Sequence, residues 1–266
     1  PRHQYDPFVA LDGVGGVVVT WWDVAHPEWR VRAQRASASG ERLWADGGAS
    51  VATADGNQAA PQVVGDTSGG AYIFWVDYRN DDGSYANLDL YSQHLDAAGA
   101  MRWSDEGRAL CAATGTQQSI AAVGDGEGGA NIAWTDQRDV YDDVYAQHLL
   151  DDGSWSWGEG GLAASNARGR QRDAKLAVDG DSLLVAWYDY RHESEDETPQ
   201  DLYLQRINAQ GAPLMEEGGE AFVTEGGARL AMAMHVLDGR AVVTWMDRRD
   251  ERAPPNIQAW FENPVA

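Results

Sequence analysis

Apolar residues in this chain come in short runs bounded by glycine or aspartate. Residues 71–76 read Ala-Tyr-Ile-Phe-Trp-Val, apolar at odd and even positions alike, directly after Gly69-Gly70. An aromatic and β-branched run of this kind predicts a strand covered on both faces. Residues 183–187 and 242–245 follow the same pattern. A second short run, such as 61–64, precedes each across a turn: Asp12-Gly13, Asp66-Thr67, Asp125-Gly126, Asp179-Gly180 and Asp238-Gly239. Such dipeptides between apolar runs are hairpin signals. No stretch sustains a helical period, so the chain is expected to be all β.

The pattern is periodic. Trp-x-Asp-x-Arg occurs at Trp75/Asp77/Arg79, Trp134/Asp136/Arg138, Trp187/Asp189/Arg191 and Trp245/Asp247/Arg249, and Trp21/Asp23 opens the series without the Arg. The lead tryptophans are 54, 59, 53 and 58 residues apart. After a polar loop each copy has a further run: Val31 to Gln34, Leu90 to Gln93, Val144 to Gln147 and Leu202 to Gln205, with Trp260 where a fifth Gln would stand. A turn glycine follows at Gly40, Gly99, Gly153 and Gly211. Four residues later comes Trp44, Trp103, Trp157 or Met215, and eight residues later Gly48, Gly107, Gly161 or Gly219.

A weaker strand, such as 109–112, completes the unit. Four-stranded antiparallel repeats of about 40 to 50 residues are propeller blades. The expected architecture is a single domain, 1–266: a five-bladed β-propeller with repeats at 1–57, 58–116, 117–170, 171–228 and 229–266. The alternatives are an open β array and a fragment of a longer propeller. The fifth repeat lacks the Gly/Trp/Gly turn, so blade five is expected to be three-stranded, to be closed partly by residues 1–6, or to mark a chain cut from something longer.

In a strand, residues two apart share a face. Trp75, Asp77 and Arg79 therefore line one side, an arrangement suited to gripping a ligand carboxylate or to holding the fold. Recurrence in every blade favours the structural role. Ligand chemistry belongs where the copies differ, in the loops that follow. Trp29, Tyr85 and Tyr141 there are candidates for stacking on sugar rings, and His192 is a further candidate ligand contact. Asp81, Asp139, Asp142 and Asp143 are the carboxylates that could hold calcium, which takes hard oxygen ligands, although no EF-hand spacing is present. No other cofactor is implied. The six histidines show no zinc-ligand grouping. For an enzyme, the non-repeated inner-strand acids are Asp6 and Asp173, with Arg170, Arg172 and His235 as neighbours. Two carboxylates flanking a glycosidic bond are what glycoside hydrolysis requires.

Composition then narrows the partners. The formal net charge is −22, and Lys175 is the only lysine. Such a surface argues against nucleic acid or an anionic membrane as partner. No run approaches the length of a transmembrane helix, so membrane insertion is not expected. Cys111 stands alone, which rules out a disulfide framework and suits a small buried hydrophobe. A start at Pro1 rather than Met implies a removed signal peptide or leading domain.

The string Trp-x-Asp-x-Arg, then Asp-Leu-Tyr-x-Gln (Asp89 to Gln93, Asp201 to Gln205), then Gly-x-x-x-Trp-x-x-x-Gly, resembles repeats of large secreted bacterial surface proteins. The blade count is similar to that of the five-bladed tachylectin-type lectins. These resemblances imply a secreted or cell-surface location. The function expected from the regular blades is an extracellular module that binds a glycan or a protein through loops at one end, without catalysis. The alternatives are a glycoside-active propeller enzyme and a structural component of a larger surface assembly.

Overall fold

The computed structural model describes residues 3–25, 28–193, 200–224, 228–248, 254 and 256–262. Arg249 of the fifth motif, and most of the loops that follow in blades four and five, lie outside them. The expected fold is the fold found: a five-bladed β-propeller of four four-stranded antiparallel sheets and a fifth of three strands, with no helix among the described residues. Blade one holds β1 (His3–Leu11), β2 (Val17–Ala25), β3 (Glu28–Ala36) and β4 (Ala49–Ser50). Blade two holds β5 (Gln58–Gly65), β6 (Ala71–Asp77), β7 (Asp89–Leu95) and β8 (Arg108–Cys111). Blade three holds β9 (Gln117–Gly124), β10 (Ala130–Asp136), β11 (Asp143–Leu149) and β12 (Leu162–Ser165). Blade four holds β13 (Gln171–Asp179), β14 (Ser182–Asp189), β15 (Asp201–Ile207) and β16 (Glu220–Val223). Blade five holds β17 (Ala228–Leu237), β18 (Arg240–Arg248) and β19 (Asn256–Phe261).

The first strand of each blade is innermost: β1, β5, β9, β13 and β17 pack in series. The second strand carries the repeated tryptophan and is buried on both faces in blades two, three and four, as its unbroken apolar run predicts. In those blades Trp, Asp and Arg form one unit. The Trp75 indole Nε1 donates to Asp77 Oδ2 at 2.8 Å. Arg79 donates Nε to Oδ1 at 2.8 Å and Nη2 to Oδ2 at 2.7 Å. Its guanidinium also lies 3.7 Å above the Tyr91 ring. The Trp134/Asp136/Arg138 and Trp187/Asp189/Arg191 units repeat this geometry, with Arg over Tyr145 and Tyr203.

The first and fifth copies depart from the unit that the repeat predicts. Blade one has no arginine after Asp23; instead Arg32, cross-strand from Trp21, points its Nε at Asp23 from 3.9 Å. Asp247 of blade five was expected to share the structural role of the other repeated aspartates, and its surroundings correct that expectation. It is buried at the end of β18 as they are, but the Trp245 indole N–H makes no hydrogen bond to it. The physical reason lies on the inner strand. Gln58, Gln117 and Gln171 stand cross-strand from Asp77, Asp136 and Asp189, whereas Asp247 stands cross-strand from Arg229, a buried cation. Arg229 thus stands where blades two to four have a glutamine, and the Trp–Asp bond of those blades is not reproduced.

The repeated Gln of the third strand is a clamp. Gln93 Oε1 accepts from the amides of Trp103 and His94, at 3.0 and 3.1 Å, and its Nε2 donates to the Ser104 carbonyl at 2.8 Å. This fixes the turn that aims Trp at the next blade. Trp44 reaches across to blade two, where Nε1 donates to the Ala97 carbonyl at 3.0 Å and the ring covers Gly99. Trp157 does the same to Ala209 and Gly211 of blade four. Gly40, the equivalent position in blade one, has open space around it. Blade one is also the less covered end of the series. Gln58, Gln117, Gln171 and Arg229 are buried at the start of their inner strands, whereas the equivalent Gln4 is exposed. No packing of comparable extent joins β1 to β17 among the described residues.

The hairpin aspartates of blades one to three, Asp12, Asp66 and Asp125, tie their turns. Asp66 Oδ1 accepts from the amides of Ser68 and Gly70, both at 2.8 Å, and Oδ2 meets His94 Nε2 at 2.8 Å. Burial works to raise this carboxyl, but the His94 bond and the amides outweigh it and hold the pKa at about 2.

These contacts can be tested by substitution. Gly99 has φ +80° and a Cβ there would sit 2.8 Å from Trp44 Cγ. Gly99→Ala is expected to cost roughly 1–3 kcal/mol more than Gly40→Ala, which has a similar φ and no ring to meet, in urea melts of both. Asp66→Asn is expected to lower stability at neutral pH by about 2 kcal/mol. Because the folded carboxyl lies below its unfolded value, its contribution is complete above about pH 4 and is lost toward pH 2. Wild type should therefore show a steeper acid limb than the variant when melts are repeated across that range.

Candidate functional site at the bulged end of the inner strands

Every inner strand steps out of register once, and the residue at the step has positive φ: Asp6 (47°), Ala60 (49°), Ser119 (54°), Asp173 (55°) and Ala231 (52°). A bulge leaves its extra residue unpaired and re-aims the side chain. All five are exposed, at the end of the blades where the second strand passes into the third. Carboxylates occupy two of the five positions, in blades one and four.

Asp6 accepts a hydrogen bond from the Trp22 indole Nε1 at 2.8 Å. Asp173 lines a cleft of about 300 Å³ where blades four and five meet, together with Lys175, Tyr188, Tyr190 and Gln200. The Tyr188 hydroxyl accepts from the Met232 amide at 2.8 Å, and Gln200 Nε2 donates to the Tyr190 hydroxyl at 2.9 Å. Burial raises both phenols and the Asp173 charge adds to the effect, so both remain protonated donors near neutrality. Of the suggested neighbours, Arg170 lies 5.1 Å over the Tyr190 ring and Arg172 stands cross-strand from Tyr188, but both arginines pair with other carboxylates. Arg170 grips Glu193 through both oxygens, at 2.6 and 2.7 Å, and Arg172 Nε donates to Asp142. His235 is exposed on β17. Asp6 and Asp173 thus hold equivalent places in two blades, each within its own local set of partners.

Two of the expected sugar contacts come together. Trp29 and Tyr85 belong to a continuous row of rings running from blade one to blade two. Tyr5 stacks on Trp22 at 4.6 Å, Trp22 meets Trp29 at 5.1 Å, Trp29 meets Tyr78 at 5.8 Å, and Tyr78 meets Tyr85 at 6.0 Å. Tyr5 and Tyr85 are exposed and the three rings between them are half-buried. Tyr85 has φ 60°, a conformation a bulky side chain rarely adopts, and its carbonyl is tied to Thr116 Oγ1 of blade three at 3.0 Å. Sequence reasoning missed Tyr5, Trp22 and Tyr78, as it missed Tyr188 and Tyr190. A usable signal existed: the residue after the repeated Trp reads Trp22, Val76, Thr135, Tyr188 and Met246, so it differs in every blade.

The other candidates do not join this row. Tyr141 is exposed with no ring partner among the described residues. His192 Nδ1 lies 2.7 Å from Asp201 Oδ2. The acidic loop residues are separately engaged: Asp81 accepts from the Gly83 amide at 3.0 Å, and Asp142 receives Gln137 Nε2 at 2.6 Å as well as Arg172. Asp139 is exposed, and Asp143 is buried opposite Asp136. No group of three or more His, Cys, Asp or Glu among the described residues is arranged to hold a metal ion. Burial, then the charges of Asp139, Asp136 and Asp142, push Asp143 up to about 6 against the pull of Arg138. A raised carboxyl favours folding below its unfolded pKa and loses that contribution as pH rises through 6. Asp143→Asn is therefore expected to be more stable than wild type at pH 7.5, and to lack the decline in melting temperature that wild type shows between pH 4 and 7.

Comparison with known proteins adds the fold's relatives. No family model matches the chain, and no curated protein does. Solved structures do. The chain is similar to a Hadza microbial sialidase, Hz136, at TM-score 0.58 and 13% identity, over 99% of this chain and 57% of that one. It is similar to polysaccharide lyase Uly1 at 0.53 and 8%, over 97% and 57%. It is similar to an α-L-arabinofuranosidase from Lactobacillus brevis at 0.50 and 10%, over 97% and 90%. The chain thus spans 57% of the first two proteins' length. At such identities the likeness establishes the shared fold. It also overturns the expectation of a binding module without catalysis, because the solved proteins built like this chain along its whole length are named as enzymes that act on carbohydrate.

Proposed function

We propose that this chain is a glycoside-active propeller whose reaction centre is built on the inner-strand bulges. The observation that carries the reading is the placement of the two carboxylates. Of five structurally equivalent exposed positions, Asp6 and Asp173 alone bear acids. Cleavage of a glycosidic bond needs one carboxyl to protonate the leaving oxygen and another to serve as nucleophile or to activate water. Residues fixed on inner strands hold position better than residues on loops, and the surrounding groups suit the task. The Trp22 indole orients Asp6. Beside Asp173, the Tyr188 and Tyr190 hydroxyls and the Lys175 ammonium are donors that can hold sugar hydroxyls. The whole-length likeness to proteins named as carbohydrate-active enzymes supports the same reading. An acidic surface with a single lysine fits work outside the cell, where polymeric glycans are met.

The test is release of reducing sugar from a panel of oligosaccharides and aryl glycosides. Wild type is expected to cleave at least one. Asp6→Asn and Asp173→Asn are each expected to lose roughly 10²–10⁴-fold in kcat with unchanged circular dichroism and melting. A silent wild type, or two fully active variants, would sink the proposal.

A further inference from the structure

The row of rings beside Asp6 is not part of the repeated blade motif, although Trp22 and Tyr78 also pack on the hydrophobic cores, and its form points to a specific kind of ligand. We infer that Tyr5, Trp22, Trp29, Tyr78 and Tyr85 are a platform for a neutral, chain-like glycan that lies along them and ends at Asp6. This inference rests on the glycoside-active reading and names its substrate class.

The first argument is continuity. Successive ring centroids are 4.6 to 6.0 Å apart over five residues drawn from two blades. An aromatic ring is a rigid apolar face that loses little entropy on contact. One such ring serves one sugar, whereas this row meets successive sugars with a stacked pair at Tyr5–Trp22 and with ring edges and faces in turn beyond it, the planes being 24°, 40°, 79° and 86° apart. The second argument is that the repeat does not require these residues. The positions equivalent to Trp22 hold Val76, Thr135, Tyr188 and Met246, and those equivalent to Tyr5 hold Ala59, Gln118, Arg172 and Leu230. The blade folds equally well without the rings.

Backbone strain is the third. Tyr85 keeps φ 60° while 61% of its surface stays exposed. A bulky residue in that conformation is strained, and such outliers gather at ligand sites. Burial does not offset the cost here, because the ring gains little cover.

Charge selects neutrality. The arginines adjoining the row in sequence are already committed: Arg30 pairs with Glu28, and Arg79 with Asp77. Asp6 and Asp82 are exposed at its margins, and the chain as a whole carries −22. A uronic acid or sialic acid polymer would meet repulsion, with no uncommitted arginine or lysine adjoining the row in sequence among the described residues. A neutral polymer presents C–H faces to the rings and hydroxyls to the carboxylates.

The experiment uses the full chain carrying Asp6→Asn, so that cleavage does not erase the ligand. Affinity electrophoresis is run in gels containing neutral polysaccharides (arabinan, xylan, galactan) or anionic ones (polygalacturonate, alginate). At least one neutral polymer is expected to retard the chain and no anionic one to do so. Adding Trp29→Ala is expected to weaken that retardation about tenfold. Tyr85→Asn, which removes the ring while tolerating the same φ, is expected to act in the same direction and guards against a folding defect at Trp29. Retardation by anionic polymers only, by none, or unchanged retardation in both ring variants would overturn the platform. A wild type that is retarded but never cleaves would instead overturn the catalytic reading alone.

Discussion

A carboxylate buried beside a tryptophan is the constraint on which this fold rests. Asp77, Asp136 and Asp189 are fully inaccessible, and an unpaired charge in such a place is not tolerated. Each is satisfied from three directions: the indole N–H of the same strand, a bidentate guanidinium two residues on, and that residue's own amide. The guanidinium is in turn sandwiched between the carboxylate and a tyrosine ring of the neighbouring strand, and donates to a carbonyl of the turn. One ion pair thereby fixes the end of the second strand, the start of the loop, the third strand and the outer turn. Blade one, where Arg32 approaches Asp23 from the opposite strand, shows that the charge must be met but that its partner can come from elsewhere.

Because the lock sits within each blade, the adjacent positions are free to diverge. The residue following each locked tryptophan points to the opposite face, and there the blades share nothing. Blade one places indoles, blade four phenols, and the bulges between them carry acid, alanine or serine. The framework supplies five equivalent mounting points, and the blades differ at the mounting points the framework leaves alone.

This division explains what the sequence disclosed. The five blades of antiparallel strands were legible, since periodicity records what every copy needs, and in the middle blades the recurring Trp, Asp and Arg form one bonded unit. The missing fourth strand of blade five was legible from the missing Gly/Trp/Gly turn. The different setting of Asp247 was not, because the motif around it is intact and the change sits 18 residues upstream at Arg229. Asp6 and Asp173 stood out as non-repeated acids, but their bulges did not, since neither Asp, Ala nor Ser announces a positive φ as glycine does. Trp29 and Tyr85 were chosen separately as exposed aromatics. Their union depends on Tyr78, which the motif made look like filler, and on the cross-blade approach of loops. The expectation of a protein without catalysis failed for a related reason: the likeness of the blades was judged on lock residues, which say nothing about divergence at the site.

The open space over Gly40 has a consequence for how the molecule breathes. In a repeat array each unit draws stability from itself and from its neighbours. Among the described residues no tryptophan covers the blade one turn and β17 does not pack on β1 as the other inner strands pack in series, so blade one is held to the array through blade two. An opening of blade one from blade two, which Trp44 and the packing of β1, β2 and β3 on β5 resist, would expose the amide protons of β1 to exchange with solvent. The row of rings crosses that same boundary. It exists as a continuous surface only while the two blades are docked, so any molecule that lies across it favours the closed state by mass action. Occupancy of the rings, where it occurred, would thus be thermodynamically linked to blade packing and would add to the hold of Trp44.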